Sequence, residues 1–238
     1  MVDSLPPAVE TSALGRRFGR RWALAEVTLR VARGVRVMVT GRNGSGKSTL
    51  LRVLATALRP DRGSARVGGH DVVSAREAVR RQAALLGHHS GLYEALSAQE
   101  NLQIAARMLG GDARPAALRE RLGEFGLAAR ADDPVSTFSA GMRKRLSLAR
   151  TLMQPASVVL LDEPYGELDS DGFALVDRLL VRLRDEGRTV LMSTHLLERG
   201  RELCDEAFQL EQGRLVWAGP AADLPQPGAA GVDVRGAA

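Results

Sequence analysis

The chain has 238 residues, 45% hydrophobic and 26% charged, which suits a globular protein with a sizeable core and excludes a disordered or fibrous chain. That length allows one α/β domain with an inserted or appended lobe, but leaves little room for two fused enzymes. A single cysteine, Cys204, excludes an internal disulfide and a multi-cysteine metal site, and fits a reducing compartment.

No window approaches the roughly 18 apolar residues that a membrane span needs. The segment from Met1 to Gly15 lacks the basic start and apolar core of a secretion signal. The formal net charge is +5, with basic and acidic residues interspersed, so no basic tract marks nucleic acid as the main partner. Almost all the positive charge is arginine; Lys47 and Lys144 are the two lysines.

In chain order, Val27 to Val31 alternates as a half-buried strand, and Val35 to Val39 reads as a second strand ending at a glycine-rich turn. A helix follows, with Leu50, Leu51, Leu54 and Leu58 on its apolar face and Pro60 to stop it. Arg62 to Val73 holds Gly63, Gly68 and Gly69 and suits a small hairpin-like layer. From Ala98 to Arg121 the composition turns to Ala, Leu, Arg and Glu, interrupted by Gly110, Gly111 and Pro115, which predicts a helical lobe. Ser139 can cap a helix whose apolar positions are Met142, Leu146, Ala149 and Met153. A βαβ unit then runs from Val158–Leu161 through a helix over Phe173 to Arg184 to a strand at Thr189–Ser193. Pro220 to Ala238, rich in Pro, Gly and Ala, predicts a mostly irregular tail.

Three segments carry chemistry. Gly41-Arg-Asn-Gly-Ser-Gly-Lys-Ser48 satisfies G-x-x-x-x-G-K-[ST] between an apolar strand and an amphipathic helix. Small residues at Gly41, Gly44, Ser45 and Gly46, with Asn43, let successive N–H groups face one phosphate, and the helix N-terminus adds its positive end. Lys47 can reach the β- and γ-phosphates, Ser48 can place its hydroxyl on Mg²⁺, and Thr49 can add a further contact. Val158-Val-Leu-Leu-Asp162-Glu163 is a buried-strand pattern ended by two carboxylates, which need a metal, a ligand or water. Asp162 suits an outer, water-mediated contact to Mg²⁺, and Glu163 suits the orientation or deprotonation of an attacking water. Between them, Phe138-Ser-Ala-Gly-Met142 joins a serine, a glycine and a helix N-terminus, the makings of a second anion site.

The assembled set resembles the ATP-binding cassette (ABC) family: GRNGSGKST as Walker A, FSAGM as the cassette signature, VVLLDE as Walker B, Asp169 in ELD as the D-loop and His195 in STH as the switch histidine. The likeness runs from about Leu14 to Gly219. It implies a P-loop NTPase fold with an antiparallel β subdomain, all of residues 1–238 forming one ATPase domain with a helical lobe at about 90–155 and the irregular tail at 220–238. It also implies ATP hydrolysis with Mg²⁺ in a head-to-tail ATP sandwich of two copies, coupled to separate transmembrane permease subunits at the cytoplasmic face of the inner membrane. Ser139, Ala140 and Gly141 would then grip the γ-phosphate held by Lys47 of the facing copy, Asp169 would communicate across that interface, and His195 would touch the γ-phosphate and help set the water. Leu92, Tyr93 and Leu96 would offer apolar contacts to a cytoplasmic helix of the permease.

Three positions depart from the family pattern. Phe18 stands where a tyrosine commonly stacks on adenine, keeping the π face and losing the hydroxyl. His88, or in a shifted register His89, stands where the Q-loop glutamine would touch Mg²⁺ and water. Met142 replaces a commoner glutamine. The stretch from Leu86 to Leu102 is similar to ATPase subunits of the haem exporter of cytochrome c maturation, which characteristically carry LGH here, whereas its GLY and ENL elements also occur in related exporters; haem export is the expected task. The alternatives are an ATPase of another exporter, of drug, lipid or polysaccharide type, or a soluble cassette protein acting on ribosome or DNA.

Overall fold

The computed structural model describes residues 5–88 and 90–225. His89 lies outside them, as does the tail from 226 onward; the tail's first residues include a short 3₁₀ turn at Ala221–Asp223. The chain divides into two compact units, one holding residues up to 87, 156–163 and from 180 onward, the other holding 88–155 and 164–179.

The first unit is built on two sheets. One is antiparallel, in the order β2-β1-β4-β5, from β1 (Val9–Phe18), β2 (Arg21–Val31), β4 (Arg62–Val67) and β5 (His70–Asp71). The other has the order β10-β9-β3-β8-β7-β6, from β3 (Arg36–Thr40), β6 (Ala83–Leu86), β7 (Val158–Asp162), β8 (Thr189–Ser193), β9 (Glu206–Glu211) and β10 (Arg214–Pro220). It is parallel from β6 through β9, with β10 antiparallel at the edge. Strands β3, β7 and β8 are buried at every residue, as continuous Val, Leu and Met runs require when both faces of a parallel sheet are covered. Their carboxyl ends lie side by side and open into the segments that carry the phosphate-loop, Walker B and switch motifs, the usual place for a ligand in such a sheet.

Some expectations need correction. Helix α1 covers Lys47–Leu54 and stops well before Pro60, because Thr56 adopts a left-handed φ of 60° while Ala57 N–H returns to the Arg52 carbonyl. Arg76 and Arg80 brace that turn through the Thr56 carbonyl (3.1 Å) and hydroxyl (3.0 Å). Strand β1 escapes pattern reading because Ala13, at φ 44°, and three register shifts against β2 break its alternation. The β9–β10 hairpin turns on Gln212 and Gly213, both with positive φ, a two-residue signal that the Gln-Gly dipeptide does carry. Helix α2 (Arg76–Gln82) and β6 complete the elements between β5 and the second unit.

The second unit packs α3 (Ala98–Leu109), α4 (Pro115–Glu124) and α5 (Ala140–Thr151) around Leu102, Leu118, Leu122, Phe125, Leu127 and Leu146, all fully buried. Ser97 and Glu100 cap α3 reciprocally: Glu100 N–H donates to Ser97 Oγ (3.2 Å) and Ser97 N–H to Glu100 Oε2 (2.7 Å). Pro115 opens α4, where its missing N–H costs nothing. In α5, Leu146 and Ala149 are buried as the spacing predicts, but Met153 falls beyond the helix end. Helix α6 (Ser170–Asp185) follows β7, and α7 (Leu197–Leu203) follows β8.

An ion pair between buried Arg36 and exposed Asp205 fastens β3 to the start of β9. Arg36 donates to both carboxylate oxygens of Asp205 (Nη2 2.7 Å, Nε 3.2 Å), its backbone N–H adds a third bond at 2.8 Å, and Asp205 N–H returns to the Arg36 carbonyl at 2.8 Å. Hydrogen bonding from Arg36 outweighs burial and holds the Asp205 carboxyl below its ordinary value. A carboxylate depressed in the folded state contributes its full stabilisation above the unfolded value near 3.8 and loses it as pH falls through the folded value. Asp205→Asn therefore lowers the melting temperature at pH 7 and removes part of the acid-limb dependence below about pH 4, as thermal denaturation at stepped pH will read. Next door, Cys204 is buried and its thiol is pushed up to about 12 by desolvation, so the residue packs as an inert apolar group.

Candidate functional site

The phosphate loop leaves β3 at Thr40 and runs through Gly41–Gly46 into α1. Two of its glycines are required by close backbone approaches. A Cβ on Gly41, at φ 136°, would lie 2.1 Å from the Leu210 carbonyl oxygen, and one on Gly46, at φ 113°, 2.4 Å from that of Ala23. The loop is thus clamped between β9 on one side and β2 on the other. Lys47 is buried and its Nζ donates to the Gly41 (2.7 Å) and Arg42 (3.2 Å) carbonyls, so the ammonium is held over its own loop. Ser45 is buried too, and its Oγ has no hydrogen-bond partner among the described residues. A buried orphan hydroxyl inside a curl of glycines is what an oxyanion ligand would satisfy. Asn43 and Gly44 are exposed, while Thr49 sits half-buried one residue into α1 after Ser48.

The two carboxylates emerge where β7 ends. Ser48 Oγ donates to Asp162 Oδ1 (2.9 Å), and Ser193 Oγ donates to the same oxygen (2.6 Å). Asp162 and Ser193 are paired residues in the β7–β8 register, so strand pairing itself sets that contact. One residue on, Glu163 bends out with φ 47°, and its N–H bonds both the carbonyl (3.2 Å) and the hydroxyl (3.0 Å) of Ser193. A non-glycine residue in that region stores strain, offset here by the doubled backbone bond. The bend presents the Glu163 carboxylate to His195, whose Nδ1 lies 3.0 Å from Oε2. Sequence reading of STH singled out only its histidine; the serine two residues earlier joins both acids. The fold therefore gathers Lys47, Ser48, Asp162, Glu163 and His195 through direct contacts or shared loops.

A hydroxyl and a carboxylate 2.9 Å apart offer the hard oxygen donors that Mg²⁺ prefers. Among the described residues there is no group of three or more His, Cys, Asp or Glu side chains fit for a metal. That suits an ion held by one or two protein oxygens together with phosphate and water. His88 opens the second unit, so its assignment to the metal rests on the family likeness.

Phe18 ends β1, 48% exposed, with the Arg16 guanidinium stacked 4.9 Å from its ring centroid. Arg16 is itself held by Asp61 (3.2 Å) and the Arg59 carbonyl (3.2 Å), which fixes the guanidinium against one face of the ring.

In the second unit, Ser139 caps α5 by accepting Met142 N–H at 3.2 Å, with Ala140 as the first helical residue. A Cβ on Gly141 would come within 2.9 Å of the Glu167 carbonyl, so the absence of a side chain lets α5 press against the segment that leads to Asp169. Asp169 accepts from Gly172 N–H (2.9 Å) and from Arg145 Nη2 of α5 (2.7 Å), bonds that hold its carboxyl below the ordinary range, the Gly172 contact first. D-loop and signature helix are thereby tied together.

A family model for the ABC transporter matches residues 24–166, most of the chain. The chain belongs to the ABC transporter family. Similar proteins include the daunorubicin resistance ATP-binding protein DrrA3 of Streptomyces coeruleorubidus, 42% identical over 91% of this chain and 69% of its own length. The daunorubicin/doxorubicin resistance ATP-binding protein DrrA of Streptomyces peucetius is 37% identical over 91% of this chain and 66% of its own. The chain thus spans about two thirds of the length of these relatives. Among solved structures, an ATP binding subunit of an ABC transporter matches with a TM-score of 0.81 at 28% identity, covering 90% of each chain. As a member, the chain has the P-loop NTPase core with an inserted helical lobe, and it is an ATPase that uses ATP with Mg²⁺. No helix among the described residues is long and apolar enough to cross a membrane.

These relatives overturn the haem-exporter expectation: the similarity is to drug-resistance ATPases, and the cytochrome c biogenesis role goes with it. The structure gives the reason that the Leu86–Leu102 stretch misled. Asn101 of ENL accepts Tyr93 N–H (2.8 Å) and donates to the Tyr93 carbonyl (3.0 Å). Ser147 and Arg150 of α5 donate to the Ser90 carbonyl, and Arg150 also to that of Gly91, where a Cβ would strike the guanidinium at 2.6 Å. The GLY and ENL elements thus help to build one loop of the second unit.

Ser193→Ala removes a donor to Asp162 and an acceptor for the Glu163 N–H while leaving the strand register intact. Loss of such an orienting partner lowers steady-state phosphate release by about tenfold and raises the Mg²⁺ concentration for half-maximal rate. Wild-type turnover at all Mg²⁺ concentrations would remove Ser193 from the site.

Proposed function

We propose that the chain is the ATP-hydrolysing half of an exporter of the drug type, acting as a pair of copies bound to separate permease subunits. The observation that carries the cargo class is the 42% identity to a daunorubicin resistance ATP-binding protein across 91% of the chain. Pairing follows from the division of labour within one copy. The phosphate loop and both carboxylates belong to one unit, whereas the Ser139 turn, a helix N-terminus suited to an anion, belongs to the other. Two copies head to tail bring the loop of one to the Ser139 turn of its partner.

In this arrangement Gly41, Asn43, Gly44, Ser45, Gly46 and Thr49 cradle the phosphates through backbone N–H groups and short side chains, and Lys47 turns from its loop carbonyls to the β- and γ-phosphates. Phe18 stacks on adenine. Ser48 and Asp162 would hold Mg²⁺, which would neutralise phosphate charge, and His88 would take the part that the family likeness gives the Q-loop residue. Glu163 takes a proton from the attacking water, and His195, hydrogen-bonded to it, orients that carboxylate and contacts the γ-phosphate. Ser139, Ala140 and Gly141 close over the γ-phosphate from the partner copy, and Asp169, tied to α5 by Arg145, reports that closure. Leu92, Tyr93 and Leu96 face the permease. Free energy enters at closure, when ATP binding joins the two copies, and leaves with product release.

Glu163→Gln keeps the phosphate cradle and loses the base. Turnover falls by about 100-fold or more, and size-exclusion chromatography with ATP shows a dimer that wild type holds only transiently. Undiminished hydrolysis would refute the role of Glu163. Ser139→Arg places a bulky cation in the closing surface and prevents the ATP-dependent dimer while leaving nucleotide binding to the single copy; a normal dimer would overturn the pairing. For cargo, co-expression with its permease in a drug-sensitive host raises anthracycline resistance, and Glu163→Gln abolishes the gain. Resistance unchanged by either protein would reject the drug class.

A further inference from the structure

Strand β2 runs beside the phosphate loop in step with it. The Ala23 carbonyl presses on Gly46, and two residues earlier on the same strand Arg21 reaches toward Gly44, with Nη2 3.7 Å from where a Cβ would stand. Strand β2 thus offers two groups to the loop: a backbone oxygen at Gly46 and a guanidinium near Gly44. Arg21 is exposed and makes no hydrogen bond or ion pair among the described residues, while Arg16 and Arg36 are committed to Asp61 and Asp205. In sequence it follows Phe18 by three positions across the β1–β2 turn. It therefore lies on the stretch of chain joining the base platform to the phosphate cradle, and a cation fits the nucleotide segment that spans the same interval.

We propose that Arg21 is a further nucleotide-binding residue, contributed by the antiparallel sheet, whose guanidinium pairs with the α- and β-phosphate side of the nucleotide bound in the same copy. The proposal rests on the assignment of Phe18 and the phosphate loop to ATP. Arginine suits the task because its planar fork can engage two phosphate oxygens and it remains charged at any working pH. Lys47 would reach the β- and γ-phosphates from the start of α1; Arg21 comes from strand β2, beside Gly44. The pairing is partly exposed to solvent, so its strength falls with salt. Because the α- and β-phosphates are common to both nucleotides, Arg21 strengthens the binding of ATP and ADP alike and does not favour one over the other.

The test is titration of the whole chain with MgADP and with MgATP by isothermal calorimetry, on wild type, Arg21→Gln, Arg21→Lys and the control Arg30→Gln, a surface arginine elsewhere on β2. Circular dichroism confirms that each variant is folded. Arg21→Gln weakens both nucleotides by about tenfold, the loss shrinking at high salt; Arg21→Lys recovers part of it; Arg30→Gln stays within about twofold. In turnover assays Arg21→Gln raises KM with little change in kcat, as loss of an interaction made equally before and during reaction requires. Binding of MgADP by Arg21→Gln within about twofold of wild type overturns the proposal, as does an equal loss in Arg30→Gln. A loss confined to ATP overturns it too, placing the guanidinium at the γ-phosphate instead. If wild type binds neither nucleotide, the assignment of the site itself fails, and that outcome is distinct from the others.

Discussion

Asp162 Oδ1 accepts two hydroxyls at once, Ser48 from the helix that follows the phosphate loop and Ser193 from the neighbouring strand. Through this one oxygen, α1, β7 and β8 are brought to a common point, and everything that would act on a phosphate is placed relative to it. The contact exists because β7 and β8 pair in a register that sets Asp162 opposite Ser193. A slip by one residue would turn Asp162 to the other face of the sheet and separate it from both partners. The buried runs Val158–Leu161 and Thr189–Met192 hold the register, since any slip would also move apolar side chains out of their packing.

Beyond that point the chain bends sharply, and the bend has a use. Glu163 leaves the strand with a left-handed backbone conformation, fastened by Ser193 through both its carbonyl and its hydroxyl, and so directs its carboxylate toward His195. Without the bend, strand alternation would point Glu163 away from the face on which Asp162 meets Ser48. The phosphate loop shows the same economy. The carbonyls of Leu210 and Ala23 stand where a Cβ on Gly41 or Gly46 would need to be, so β9 and β2 fix the curl before any ligand is present. A cradle shaped in advance spends little of the ligand's binding energy on ordering.

Cargo is the property these residues describe least. The loop from Ser90 to Tyr93 is built by Asn101, Ser147 and Arg150, all of which bond to its backbone. Those bonds fix the path of the loop, and at Gly91 they leave no room for a side chain. Identity spread over nine tenths of the chain is the better guide to cargo, because it samples surfaces as well as motifs.

Much of the site was legible without a structure. The motif from Gly41 to Ser48, the acid pair after an apolar run and the capped turn at Ser139 are dictated by chemistry that only certain residue types can supply, so order and spacing sufficed to name them, together with the ATPase fold. Local sequence could not disclose what long-range pairing decides. Ser193 joins Asp162 only through strand register, Arg16 covers Phe18 only because Asp61 holds it, and Arg21 meets Gly44 only because β2 runs beside the loop. Local irregularity concealed β1, and α1 ended at Leu54 rather than near Pro60, because a backbone reversal at Thr56 braced by Arg76 and Arg80 outweighed the leucine spacing. Composition and motif determined which chemistry the chain carries; tertiary packing alone decided which neighbours orient it, since those contacts join residues far apart in sequence.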